Sequence, residues 1–235
     1  MTPPQVWAVV PAAGVGRRFG ASIPKQYLEL GGRSVLERSL STFVDHPRIA
    51  GVRVVLDSAD PRWDSQPYAR NPKVSRAAGG AERCHSVLNA LEALLMQAHP
   101  QDWVLVHDAA RPCLRLEDLN RLIEELEQDP VGGLLAVPVR DTMKRGDPSG
   151  HVIATVERAH LWHAYTPQMF RLGALADALR EAIAGGDLVT DEASAMERLG
   201  HRPRLVEGHA DNIKITRTAD LPLARFFLTQ QGRLD

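Results

Sequence analysis

Arg17, Arg18 and Lys25 crowd a short stretch near the N-terminus, around the small-residue run Ala12-Ala13-Gly14-Val15-Gly16 and the segment Pro24-Lys25-Gln26. Gly and Ala let backbone N–H groups approach an anion closely. Guanidinium and ammonium groups add fixed positive charge at the same spot. The combination predicts a loop that holds a polyphosphate and presents it for attack. Two better-known phosphate loops do not fit. A Walker A loop requires Gly-x-x-x-x-Gly-Lys-Ser/Thr, whereas Gly20 is followed by Ala21 and Ser22, and Lys25 lies on a separate segment. A dinucleotide fingerprint requires Gly-x-Gly-x-x-Gly with an acidic residue about 20 positions on. The run from Gly14 through Gly16 to Gly20 is one residue too long. Asp57, the carboxylate that would imitate its acidic partner, lies roughly twice as far along as that spacing asks.

Further candidates follow apolar runs. Asp108 comes just after the strand-like stretch 103–106, where a carboxylate could hold magnesium or order an acceptor's hydroxyls. The competing account is a helix cap or an ion pair with Arg111. His107 reads as a packing or hydrogen-bonding histidine. Gly79-Gly80 opens a helix whose first turn carries Glu82 and Ser86, and dipole compensation alone accounts for Glu82.

Stretches 6–10, 52–56, 103–106, 133–139 and 204–207 have strand length and composition. Between them, Val35, Leu36, Leu40 and Phe43 keep helical spacing, as do Val87, Leu88, Leu91, Leu94 and Leu95. Leu119, Leu122, Ile123 and Leu126 form a third such face, and Leu175, Leu179 and Ile183 a fourth. Strand–helix alternation predicts an α/β fold with a mostly parallel sheet covered on both sides. Ligands of such folds sit at the carboxyl ends of the strands, and every candidate motif is expected in a loop or just after a strand. Stretches 142–145 and 152–156 flank Gly146-Asp147-Pro148-Ser149-Gly150, a hairpin composition. An isolated two-stranded arm is marginal in water, so this one should pack on something. With no repeat or linker in view, a single domain over 1–235 is expected, with a β-arm at about 140–158.

The segment Pro11-Ala12-Ala13-Gly14-x-Gly16-x-Arg18, followed by Pro24-Lys25-Gln26-Tyr27, resembles the nucleotide loop of the 2-C-methyl-D-erythritol 4-phosphate cytidylyltransferases. Gly79-Gly80-x-Glu82-Arg83-x-x-Ser86-Val87, the run from Val106 through His107-Asp108 and Arg111 to Pro112, and Pro138-x-x-Asp141-Thr142-Met143-Lys144 are similar to that family too. So are Thr166-Pro167-Gln168, Thr190-Asp191-Glu192-Ala193 and Asp211-Asn212-Ile213-Lys214. These motifs keep the family's order and span nearly the whole chain.

The resemblance implies a Rossmann-like sheet with a protruding β-arm for dimerisation, and a reaction between CTP and 2-C-methyl-D-erythritol 4-phosphate. The acceptor's phosphate attacks the α-phosphorus and pyrophosphate leaves. Arg18, Lys25 and Lys214 would be catalytic. Ala12, Ala13 and Gly14 would face the cytosine, with Gly16, Gly80, Arg83 and Ser86 completing the nucleotide contacts. Asp108, Arg111, Thr142, Arg158 and Thr190 would hold the acceptor, Arg158 and Thr190 from the neighbouring chain of a homodimer. Magnesium, or another divalent cation, would sit on Asp108 and Asp211. Ala81 departs from the family pattern, which has Asp there, so a backbone contact is what that position retains. A related cytidylyltransferase using ribitol 5-phosphate is the near rival, and the Thr142-Met143-Lys144 and Thr166-Pro167-Gln168 segments favour the first reading. An NAD-dependent oxidoreductase and a non-enzymatic nucleotide sensor are the alternatives from other classes.

Composition agrees. Across 235 residues, 28 Lys and Arg balance 29 Asp and Glu, so no basic field points to nucleic acid or a membrane surface. The two cysteines, Cys84 and Cys113, form no CxxC pair and are expected as reduced thiols. No stretch approaches the ~20 apolar residues of a membrane span, and no secretory leader is recognisable. A cytoplasmic protein is expected. The chain also lacks room for the second enzymatic domain fused to some relatives, which favours a single-function enzyme.

Overall fold

The computed structural model describes residues 3–14 and 23–234. Seven strands form one sheet: β1 (Val6–Pro11), β2 (Ile49–Leu56), β3 (Val74–Ala78), β4 (Trp103–Val106), β5 (Gly132–Pro138), β8 (Trp162–Arg171) and β9 (Arg204–Glu207). Their order is β3-β2-β1-β4-β8-β5-β9. All run parallel except β8, which is antiparallel to both β4 and β5. A sheet buried on both faces explains why the central strands read as unbroken apolar runs.

Alternate residues of each strand enter opposite cores. Ala8, Val10 and Leu105 pack against Leu36, Leu40 and Phe43 of α1 (Val35–Val44) and Leu119, Leu122 and Ile123 of α3 (Leu116–Leu126), the first and third helices. On the other face, Val9, Val104, Val106 and Phe170 meet the second helix, α2 (Arg83–Leu95), together with α4 (Leu172–Ala184) and α5 (Glu192–Arg198). A smaller cluster of Leu30, Val35, Cys113, Ile215, Ala224 and Leu228 lies under α6 (Asp220–Gln230).

Thr166-Pro167-Gln168 corrects one expectation, because it lies inside a strand, β8, and not in a loop. Proline donates no ladder bond and normally argues against a central strand. Here the register with β5 shifts between Leu134, opposite Gln168, and Ala136, opposite Ala164, so Pro167 falls in an irregularity where no ladder donor is required. Strand β3 was hidden by its half-polar, edge composition, and α5 and α6 by their short or weakly patterned faces. Pro222 falls in the first turn of α6, where its missing N–H costs nothing.

Two further strands, β6 (Met143–Gly146) and β7 (Val152–Val156), pair antiparallel as a separate two-stranded sheet. Asp147 closes the turn, accepting bonds from Ser149 N–H, Ser149 Oγ and His151 N–H. Gly150 takes φ +87°, a conformation that favours glycine. Val152 and Ile153 are 64 % and 62 % exposed on this hairpin.

Candidate active site

In the sheet, β1 has β2 on one side and β4 on the other, so the strand order reverses between β1 and β4. A crevice opens outside the carboxyl ends of the strands at such a point. A cavity of about 800 Å³ lies there. Its wall takes Ala12, Ala13 and Gly14 from the end of β1, and Lys25 and Gln26 from the turn that follows. The head of α2 adds Gly80, Arg83 and Ser86, the end of β4 adds Asp108, and the segment before α6 adds Lys214.

Close backbone approach shapes this wall. A Cβ on Gly79 would lie 2.6 Å from Ala13 Cβ, and one on Gly80 2.5 Å from His85 Cβ, so both positions need glycine. The Ser86 hydroxyl accepts the Gly80 N–H at 2.9 Å and fixes the loop. Gln26, buried, donates from Nε2 to the Ala12 carbonyl at 2.7 Å, which pins the lysine-bearing turn to the loop after β1. Tyr27 anchors the same turn through Asp60 at 2.7 Å. Lys25 Nζ donates to the carbonyl of Ile215 at 3.1 Å, which places it beside Lys214 in space although they lie far apart in sequence.

Asp108 is the electrostatic centre. Its carboxylate faces Lys214 Nζ at 2.8 Å, Arg83 Nε at 3.3 Å and Arg111 Nε at 3.6 Å. Burial alone would raise its pKa, but these cations outweigh that effect and hold it well below the usual carboxylate range. Arg83 is gripped a second time: its guanidinium meets both oxygens of buried Glu192, at 2.6 and 3.0 Å. Burial disfavours its charge, yet the two carboxylates prevail and raise its pKa. The arrangement is a cation-rich pocket able to take up an anionic ligand.

The family model of the 2-C-methyl-D-erythritol 4-phosphate cytidylyltransferases matches residues 6–230. The chain belongs to that family. The enzyme of this name from Pseudomonas putida strain GB-1 is 59 % identical over 225 residues, covering 95 % of this chain and 96 % of that one. A crystal structure of 4-diphosphocytidyl-2C-methyl-D-erythritol synthase superposes with a TM-score of 0.85 at 42 % identity, covering 97 % of this chain and 100 % of the other. The Francisella tularensis cytidylyltransferase gives a TM-score of 0.84 at 36 % identity, over 95 % of this chain and 100 % of that one.

Of the residues that the family resemblance marks, the fold gathers Ala12, Ala13, Gly14, Lys25, Gly80, Arg83, Ser86, Asp108 and Lys214 at the cavity. Gly16 and Arg18 lie outside the described residues. Arg111 lies just behind the wall, with its guanidinium 4.6 Å over the Tyr165 ring. Thr142 and Arg158 are exposed at the base of the hairpin, where Arg158 donates to the Arg140 carbonyl, and Thr190 is exposed ahead of α5. None of these three is among the described lining residues.

Asp211 is held elsewhere. Its Oδ2 accepts from Arg115 and Gln231, and it is not among the cavity's described lining residues. Among the described residues no cluster of three or more His, Cys, Asp or Glu side chains could hold a metal ion. Asp108 and Glu82 are the carboxylates among the described lining residues. Such a donor set fits magnesium carried mainly by nucleotide phosphates. Gln26, Glu192, Thr166 and Asn212 emerged from the structure as support for the site. Each sits inside a recognised motif, but its role depends on partners distant in sequence.

Proposed function

We propose that this cavity is where the cytidylyltransferase brings its two substrates together. The enzyme joins CTP to 2-C-methyl-D-erythritol 4-phosphate, giving 4-diphosphocytidyl-2-C-methyl-D-erythritol and pyrophosphate in the non-mevalonate route to isoprenoid precursors. The observation that carries the site assignment is the meeting of Lys25 and Lys214 beside the glycine-lined nucleotide loop: Lys25 bonds the carbonyl next to Lys214, and Lys214 bonds Asp108.

The acceptor's phosphate oxygen is already anionic near neutral pH, so no general base is needed. It forms a bond to the α-phosphorus while the bond to the bridging oxygen breaks, and pyrophosphate leaves with that electron pair. The protein must screen repulsion between two anions, hold them in line and stabilise charge in the transition state. Lys25 and Arg18 would take the α-phosphate, and Lys214 and Arg111 the acceptor. Ala12–Gly14 and Gly80 would receive the base and ribose, with Ser86 beside them. Magnesium brought in with CTP would add charge neutralisation, and Asp108, kept ionised, is the residue to meet it.

A homodimer completes the reading. The exposed Val152 and Ile153 support the hairpin as the dimerisation arm, because an isolated hairpin is marginal alone. Thr142, Arg158 and Thr190, which lie outside their own subunit's described wall, would complete acceptor binding, the latter two in the partner's site. No helix among the described residues is long and apolar enough to cross a membrane, and the two buried free thiols suit a reducing cytoplasm.

The direct test measures pyrophosphate release from CTP with either acceptor, with and without magnesium. Release is expected with 2-C-methyl-D-erythritol 4-phosphate and to stop on chelation. Faster turnover of ribitol 5-phosphate would overturn the acceptor assignment.

A further inference from the structure

Behind the wall, four buried residues close a ring of hydrogen bonds. His107 Nε2 lies 3.0 Å from the Arg111 carbonyl oxygen. Arg111 Nη1 donates to the Asn212 carbonyl at 2.7 Å, and Asn212 Nδ2 donates to the Thr166 carbonyl at 2.8 Å. The Thr166 hydroxyl returns to His107 Nδ1 at 3.0 Å.

The chemistry of the partners determines the protons. A carbonyl can only accept, so Nε2 carries a proton. In the neutral imidazole Nδ1 is then bare and the Thr166 hydroxyl donates to it, which leaves its lone pairs for the Asp108 N–H, 3.1 Å away. The ring therefore excludes the tautomer protonated on Nδ1 alone.

The ring carries the acceptor-facing groups. Asp108 follows His107 and is bonded through its N–H; Arg111 is a member; Lys214 lies two residues beyond Asn212 and reaches Asp108. His107 itself is wholly buried and is not among the cavity's described lining residues. Its ring rests against Phe43 with centroids 5.1 Å apart.

We propose that His107 is a positioning residue for the transfer reaction: through Arg111 and Thr166 it holds Asp108 in place, and with it the paired Arg111 and Lys214 that take the acceptor phosphate. This rests on the assignment of Arg111 and Lys214 to the acceptor made above. A phenylalanine would fill the same space without either hydrogen bond, whereas glutamine can still donate toward the Arg111 carbonyl. Thr166→Val removes one hydroxyl from the ring at nearly constant volume, and Thr166→Ser keeps it.

Steady-state kinetics, well below the unfolding temperature and with each substrate varied, test the idea. His107→Phe and Thr166→Val should lower kcat/KM for the acceptor by about tenfold or more while the KM for CTP stays within about twofold. His107→Gln and Thr166→Ser should recover most of that loss. Wild-type acceptor kinetics in both disrupting variants, or equal loss for CTP and acceptor, would overturn the proposal. Should His107→Phe fail to fold, the Thr166 pair still decides, and 15N NMR of the wild-type imidazole gives an independent reading. A protonated Nε2 is expected, and the tautomer protonated on Nδ1 alone would refute the ring. Failure of the underlying acceptor assignment has a different signature, since the wild type would then give no acceptor-dependent pyrophosphate.

Discussion

Asp108 remains charged although 8 % exposed, because Arg83, Arg111 and Lys214 converge on it. Removing any one partner leaves the others facing an altered balance. Lys25 is placed at the other side of the chemistry: it holds the Ile215 carbonyl and lines the cavity beside the nucleotide loop. Lys25→Ala should therefore lower kcat by about 10²–10³ with a much smaller change in the KM for CTP, as for a group acting mainly in the transition state. Near-normal turnover would remove it from the mechanism. Cys113 gives a second residue-level expectation. Burial pushes its thiol up to about 12, so it should stay protonated and inert toward iodoacetamide at pH 8 in the native protein. Cys84 is also buried, so mass spectrometry should find both thiols alkylated only after denaturation. The charged types and the glycine loop made Lys25, Asp108 and Lys214 readable in the sequence. The Arg83–Glu192 bond was not readable, because its partners are 109 positions apart.

At the level of elements, α5 shows how a short helix is kept in register with the site. Asp191 caps it, accepting from Ser194 N–H at 3.0 Å, while Ser194 Oγ returns to the cap. The other Asp191 oxygen accepts from Gln168 on β8 at 3.0 Å, and Glu192 follows to grip Arg83. Asp191→Ala should cost about 1 kcal/mol of stability, seen as a lower urea midpoint with an unchanged m-value. An unchanged midpoint would show that the cap contributes nothing. The long apolar strands and the first four helices follow from periodicity because burial on both faces, or on one stripe, leaves a clear pattern. Strand β8 does not, since its proline and polar residues are tolerated only where the register with β5 shifts.

For the whole molecule, the hairpin of β6 and β7 stands apart from the seven-stranded sheet and carries exposed valine and isoleucine. If it forms the dimer arm, Val152→Lys combined with Ile153→Lys should give a monomer in light scattering and a clear loss of turnover at equal protein concentration. A dimer that persists in the double variant would place the interface elsewhere. The sequence by itself determined the alternation of strands and helices, the cationic nucleotide loop and the family, because these depend on local spacing and residue type. Tertiary structure alone decided that Lys25 would meet the segment carrying Lys214, that Asp211 would turn to Arg115, and that His107 would close a ring. Those outcomes depend on which distant backbones the sheet order brings within hydrogen-bonding distance, and a linear pattern of side chains does not encode such distances directly.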